Sequence, residues 1–190
     1  MADLIVRAAD AASGRTVWKQ QFGRMSSARP VAVVDGKILI RTGNSACLLS
    51  AADGQMLWQW KRNNQEVWQA GLAGDLILLL THWCWGKDPD RTSFVNLRAF
   101  RRGVELYSVF YPRAVMTLFE YHRSTGLVYE STRMGLGILD PRTGKRKAII
   151  EFAPRYAPKG YHPHQPSIVD GIIYAVDEVG KVYALKHPQI

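Results

Sequence analysis

Arg29-Pro-Val-Ala-Val-Val-Asp-Gly-Lys-Ile-Leu-Ile-Arg-Thr-Gly-Asn-Ser-Ala-Cys-Leu-Leu-Ser-Ala-Ala-Asp-Gly-Gln-Met-Leu-Trp-Gln-Trp60 contains four short apolar runs set apart by turn residues. The runs fall at 30–34, 37–41, 46–50 and 56–60, each the length of a β-strand and too short for a helix. Asp35-Gly36, Gly43-Asn44 and Asp53-Gly54 fill the gaps, and glycine beside a short polar residue supplies the positive φ that tight hairpins need. The stretch therefore predicts a four-stranded antiparallel meander. One such sheet has too few residues on either face to build a core, so it has to stack on others like it.

The remainder of the chain supplies the others. Ala8-Ala-Asp-Ala-Ala-Ser-Gly-Arg-Thr-Val-Trp18 matches Leu49-Ser-Ala-Ala-Asp-Gly-Gln-Met-Leu-Trp58, and Leu139-Asp-Pro-Arg-Thr-Gly-Lys145 repeats the turn. The glycines recur roughly every 40 residues, with Arg101-Arg-Gly103 as a degenerate member, and among repeats built from strands that period belongs to propeller blades. A second blade is expected at 67–73, 75–81, 94–100 and 104–110, and a third at 115–121, 127–132, 135–140 and 148–152. A last module has only three strands, at 167–169, 172–176 and 181–185. The N-terminal strand Thr16–Phe22 matches the missing fourth one, so the ring is expected to close by pairing of the N- and C-terminal strands, which leaves no free edge. The expectation is an all-β, single-domain protein over residues 1–190: a small β-propeller of four blades of four antiparallel strands. The strand at 4–8 is surplus to that count and has no assigned place.

Asp10-Ala-Ala-Ser-Gly-Arg-Thr-Val-Trp18 resembles the repeat of the bacterial quinoprotein-like (PQQ-like repeat) propellers, which runs from an aspartate through threonine or serine, glycine and a basic residue to an aliphatic residue and a tryptophan. Asp140-Pro-Arg-Thr-Gly-Lys145 keeps the turn but carries Ala148-Ile-Ile150 in place of the tryptophan region, and the strand at 104–109 keeps neither aspartate nor tryptophan. True quinoprotein dehydrogenases bind pyrroloquinoline quinone with calcium, using a larger ring, a disulfide between adjacent cysteines, and carboxylate and amide ligands. Cys47 and Cys84 are not adjacent, and no acidic cluster has calcium-ligand spacing. The resemblance therefore implies the scaffold alone, with no cofactor, metal or catalytic residue expected.

The chain of 190 residues is 47% hydrophobic, which suits one soluble core. The longest apolar run, at 76–80, is far too short to span a bilayer as a helix. Asp3 and Arg7 interrupt the first apolar residues, so no secretory signal is read and a cytoplasmic location is expected, or export if the chain is trimmed, as is common among the resembled propellers. Both cysteines are expected as free thiols. The formal net charge is +9, but the basic residues are scattered over turns, which argues against nucleic acid as the partner. Lys145-Arg-Lys147 beside Arg142 is the densest basic run and the place where an anionic partner would be met.

Trp18 and Trp58 share one place in their repeats and are read as packing between blades. Trp60 and Trp68 are less periodic and fit either packing or binding. The insertion at 82–93 places Trp83 and Trp85 beside Lys87, Asp88, Asp90 and Arg91, aromatic anchors with a charged rim of the kind found at protein contacts. The same tryptophans could instead fold back and plug the propeller face. Tyr156 and Tyr161, in a proline-rich connection, form a second candidate surface. The function expected is a non-enzymatic protein-binding propeller, an inhibitor or immunity protein for a toxin domain or an assembly scaffold, of unassigned oligomeric state. The alternative is an enzyme-like propeller holding a small ligand or metal in its central channel, with His82, His122, His162, His164 and Cys84 as the available metal donors.

Overall fold

The computed structural model describes residues 4–22, 28–83, 95–111, 116–132, 135–151, 165–176 and 180–186. Seventeen strands and no helix appear among them. Strands β1 (Leu4–Ala9) and β2 (Thr16–Phe22) form a hairpin. Blade I is β3 (Ala28–Val34), β4 (Lys37–Thr42), β5 (Ser45–Ser50) and β6 (Met56–Lys61). Blade II is β7 (Gln65–Ala73), β8 (Leu76–Trp83), β9 (Val95–Arg101) and β10 (Val104–Tyr111), and blade III is β11 (Met116–His122), β12 (Leu127–Thr132), β13 (Gly135–Leu139) and β14 (Arg146–Glu151). Blade IV has three strands, β15 (Ser167–Val169), β16 (Ile172–Val176) and β17 (Val182–Lys186). Every pairing is antiparallel and follows chain order, as the meander pattern predicts.

The first hairpins of blades I and IV and the last hairpin of blade II turn through two residues, Asp35-Gly36, Asp170-Gly171 and Arg102-Gly103, and in each both central residues have positive φ, the mirror-image turn that matches strand twist. The longer turn before the fourth strand is built alike three times. Gly14 donates its N–H to Asp10 O, Gly54 to Ser50 O and Gly144 to Asp140 O, at 2.8–3.0 Å. Ser50, not Asp53, thus stands where Asp10 and Asp140 stand.

The core is four layers between five stacked sheets. Trp18 and Phe22 of the hairpin pack on Ile40, Cys47 and Leu49 of blade I. Leu39, Ala46 and Trp60 on the other face of blade I meet Val67, Ile77, Leu79 and Phe100 of blade II. Leu78, Leu80 and Leu97 meet Phe119 and Val128 of blade III. Tyr129 and Ile138 meet Ile173 and Ala175 of blade IV. Middle strands are covered on both faces, which is why β8 reads as a continuous apolar run rather than an alternating one.

The fourth strands carry pegs into the next blade. The Trp18 indole donates to Ala51 O at 2.8 Å and lies over Gly54, where a Cβ would come within 2.6 Å of the ring. Trp58 lies over Gly103, and Tyr107 lies over Gly144 with its hydroxyl donating to Pro141 O at 2.7 Å. Tyr107 therefore takes the tryptophan position in the blade whose repeat looks degenerate. Its phenol is pushed far above the usual range by burial and by Asp140, so it remains a hydrogen-bond donor.

All-β architecture and propeller packing are as expected, but the closure is not. Among the described residues β1 pairs with β2 alone, and β15–β17 form their own sheet. A fourth strand bonds only to the third, and β1 already occupies the edge of β2 that β17 would need. The surplus strand at 4–8 thus settles in the N-terminal hairpin, and no pairing of β2 with β17 appears among the described residues. The outer faces of both end sheets consequently expose Ile5 and Val17, and Val169, Tyr174 and Val182.

Candidate binding site on the inner strands

The first strands β3, β7 and β11 lie side by side, and each carries a β-bulge, at Pro30/Ala32, Val67/Gln69 and Met116/Phe119. A bulge leaves backbone groups without ladder partners, and buried groups of that kind have to be satisfied from elsewhere. The neighbouring blade does so. Arg41 of β4 donates from Nη1 to the carbonyls of Val67 and Trp68 at 2.8 and 2.6 Å. Gln69 of β7 accepts from the Phe119 N–H at 2.8 Å and donates to the Phe119 carbonyl at 2.6 Å. At the third seam Gln165, just before β15, donates to Glu120 of β11 at 2.7 Å.

These straps border a cavity of about 500 Å³. Arg29, Arg41 and Arg123 line it against a single carboxylate, Glu120, with Trp68 and Leu118 among the apolar walls. Burial lowers the Arg41 pKa, and the neighbouring Arg29 charge lowers it further. Trp68 stacks on His82, ring centroids 4.3 Å apart, which holds the indole at the cavity wall. None of the three arginines is in a salt bridge among the described residues. Chemically the cavity is a cationic, partly apolar recess suited to binding.

Of the residues singled out in the sequence, Trp83 ends β8 and is half-buried. Trp85, Lys87, Asp88, Asp90, Arg91, Tyr156 and Tyr161 lie outside the described residues, as do Cys84, His162 and His164. Trp60 is buried in the seam between blades I and II, whereas Trp68 reaches the cavity. Cys47 is a buried free thiol whose pKa is pushed up by burial. His122 bonds to Thr125 at 3.0 Å. No group of three His, Cys, Asp or Glu able to hold a metal occurs among the described residues. Within the basic run, Arg142, Lys145 and Lys147 are exposed, and Arg146, itself partly exposed, spends its charge on Glu130. The arginine cavity escaped sequence reading because Arg123 lies far along the chain from the other two arginines; the signal that could have found it is Arg29 and Arg41, which the β3–β4 hairpin sets opposite each other.

Successive antiparallel meanders packed face to face, with their first strands around a cavity, define a small β-propeller. Its scaffold is that of the PQQ-like repeat propellers: the family model described as outer membrane protein assembly factor BamB matches residues 2–92. No match is found among curated proteins. The chain is similar to the crystal structure of the computationally designed Ika4 protein at 15% identity and a TM-score of 0.61, covering 91% of this chain and 98% of that one. It is also similar to the WD40 β-propeller domain of Doa1, at 10% identity, TM-score 0.57 and coverage of 97% and 62%. BamB from Moraxella catarrhalis matches at 14% identity and TM-score 0.46, with 96% of this chain covering 67% of that one. At such identities the likeness is one of fold.

Proposed function

We propose that the protein is a non-enzymatic protein-binding scaffold that uses its inner strands and adjacent loops as the contact surface. The observation that carries this reading is the arginine-lined cavity, built on strands fixed from blade to blade by Arg41 and Gln69. A rigid frame presenting a preformed recess binds without an ordering cost. The match of residues 2–92 to a family described as an outer membrane protein assembly factor favours an assembly role over a dedicated toxin inhibitor. Trp83 and Trp85, with Tyr156 and Tyr161 of the proline-rich connection, are the further contact candidates that the sequence offers.

The test is isolation of the protein from its native cells after mild cross-linking. A defined complex at fixed stoichiometry is expected, and Trp83→Ala with Trp85→Ala should weaken it without lowering Tm. Elemental analysis and an absorbance spectrum of the purified protein bear on the competing reading, a ligand- or metal-dependent enzyme; a stoichiometric metal or quinone would overturn the scaffold. Fractionation of tagged cells separates the cytoplasmic placement from the exported one.

A further inference from the structure

We infer that the cavity between β3, β7 and β11 is a receptor for carboxylates, and that its occupant is an acidic peptide segment of a protein partner. This inference rests on the scaffold reading for its partner but can be tested without it. Three arginines face one carboxylate around a recess of about 500 Å³. Glu120 is itself engaged by Gln165 and bridges to none of the three.

Arg41 is the fixed element. Its Nη1 is held by two backbone carbonyls, and Nε and Nη2 make no hydrogen bond among the described residues. A guanidinium has five N–H donors in a planar fork that fits a carboxylate through two parallel bonds. Held by one nitrogen and open at the others, Arg41 offers that fork with little conformational freedom left to lose.

Arg29 lies close enough to depress the pKa of Arg41. Two cations confined together without a counter-ion repel each other, and an anion between them removes the repulsion. Arg123 completes an exposed cationic rim, and Trp68 and Leu118 give the methylene stems of glutamate side chains an apolar wall. The net charge of +9 draws acidic partners toward the recess from a distance.

The experiment titrates the purified protein into a fluorescein-labelled hexaglutamate peptide, following its anisotropy at low and high salt. Saturable binding is expected, weakened about tenfold or more by salt. Arg29→Gln with Arg123→Gln, two exposed side chains in no hydrogen bond or salt bridge among the described residues, should weaken it a further tenfold or so. Arg15→Gln with Lys145→Gln, which removes the same charge from outer turns, should change it less than about twofold. Arg41→Gln is the strongest variant if it folds, and the Arg29/Arg123 pair decides the matter if it does not. Absence of saturable binding, or equal losses in the two double variants, overturns the inference. Citrate binding with hexaglutamate failing would mean a small-anion site, and tighter binding of oligothymidylate with the same variant dependence would mean nucleic acid; both outcomes also overturn it. Failure of the native cells to yield a complex, with hexaglutamate still binding, would count against the scaffold reading and leave the receptor standing.

Discussion

Replacing Arg146 by alanine should destabilise the propeller, and more so as pH rises. Glu130 sits on β12, its side chain fully shielded, opposite Gly137 on β13, where a Cβ would fall 2.5 Å from Glu130 Oε1. Arg146 is the cation that reaches it, with Nε donating to Oε1 at 2.7 Å and Nη2 to the same oxygen. Burial raises the Glu130 pKa above 4.5, and Arg146 acts against that rise. Removing one partner of a fully buried pair costs about 3–5 kcal/mol while the other stays charged; with a third of the Arg146 side chain exposed, the cost here falls toward the lower end of that range or below it. The carboxyl can escape part of the cost by taking a proton. A folded-state pKa above the unfolded value means that the folded state holds more protons in the interval between them, so stability falls as pH rises through it, by at most about 1.4 kcal/mol per pH unit. Without Arg146 the folded value climbs further, and the interval widens upward. Urea denaturation should therefore show R146A losing up to about 2–3 kcal/mol more near pH 7 than near pH 5. E130Q should abolish that slope, and in the double variant the pH dependence should vanish too. An R146A penalty that is the same at both pH values, or below about 1 kcal/mol near pH 7, would refute the reasoning.

Gly54→Ala should cost several times more than Gly14→Ala in denaturant unfolding, because both sites have positive φ but only Gly54 lies under a tryptophan ring; about 1 kcal/mol is expected at Gly14 and about 2–4 at Gly54. Tyr107→Phe should lose about 1 kcal/mol, the hydrogen bond to Pro141, while Tyr107→Ala should lose about 3–5, the peg itself, both measured by chemical unfolding. Cys47 should resist alkylation near neutral pH, being buried with its thiol pKa raised, and should react once denaturant opens the seam between the hairpin and blade I; mass spectrometry of iodoacetamide-treated protein reads the difference.

The blades were legible because their signals are local. Asp-Gly hairpins, alternating or continuous apolar runs and the recurring turn before the fourth strand each sit within a few residues, and the strands of 29–60 appear within a residue or two of where the runs place them. The closure was not legible, since the sequence shows that β2 can serve as a fourth strand but not that β1 takes the edge it would share with β17. Nor was the equivalence of Tyr107 with Trp18 and Trp58. It rests on a bulge register, Glu105/Tyr107 against Met56 to Trp58 and Thr16 to Trp18, that puts each ring over the turn of the next blade. The Glu130–Arg146 pair hides for the same reason: sixteen residues separate two charges that β13 brings to one interior point.

The inner strands join structure and binding through one device. A bulge in the first strand of a blade turns side chains toward the axis but strands carbonyls, and a polar side chain from the adjacent blade is the nearest group able to satisfy them. Between blades II and III that group is Gln69, neutral and consumed by its two bonds to Phe119. Between blades I and II it is Arg41, which satisfies the same kind of defect with one nitrogen and brings a charge and three further donors to the cavity. Glutamine at position 41 could meet the structural need, so the guanidinium exceeds what the bulge requires. The excess is spent where Arg29 and Arg123 already concentrate positive charge, at a cost in repulsion that a propeller built only to hold its blades together would not bear.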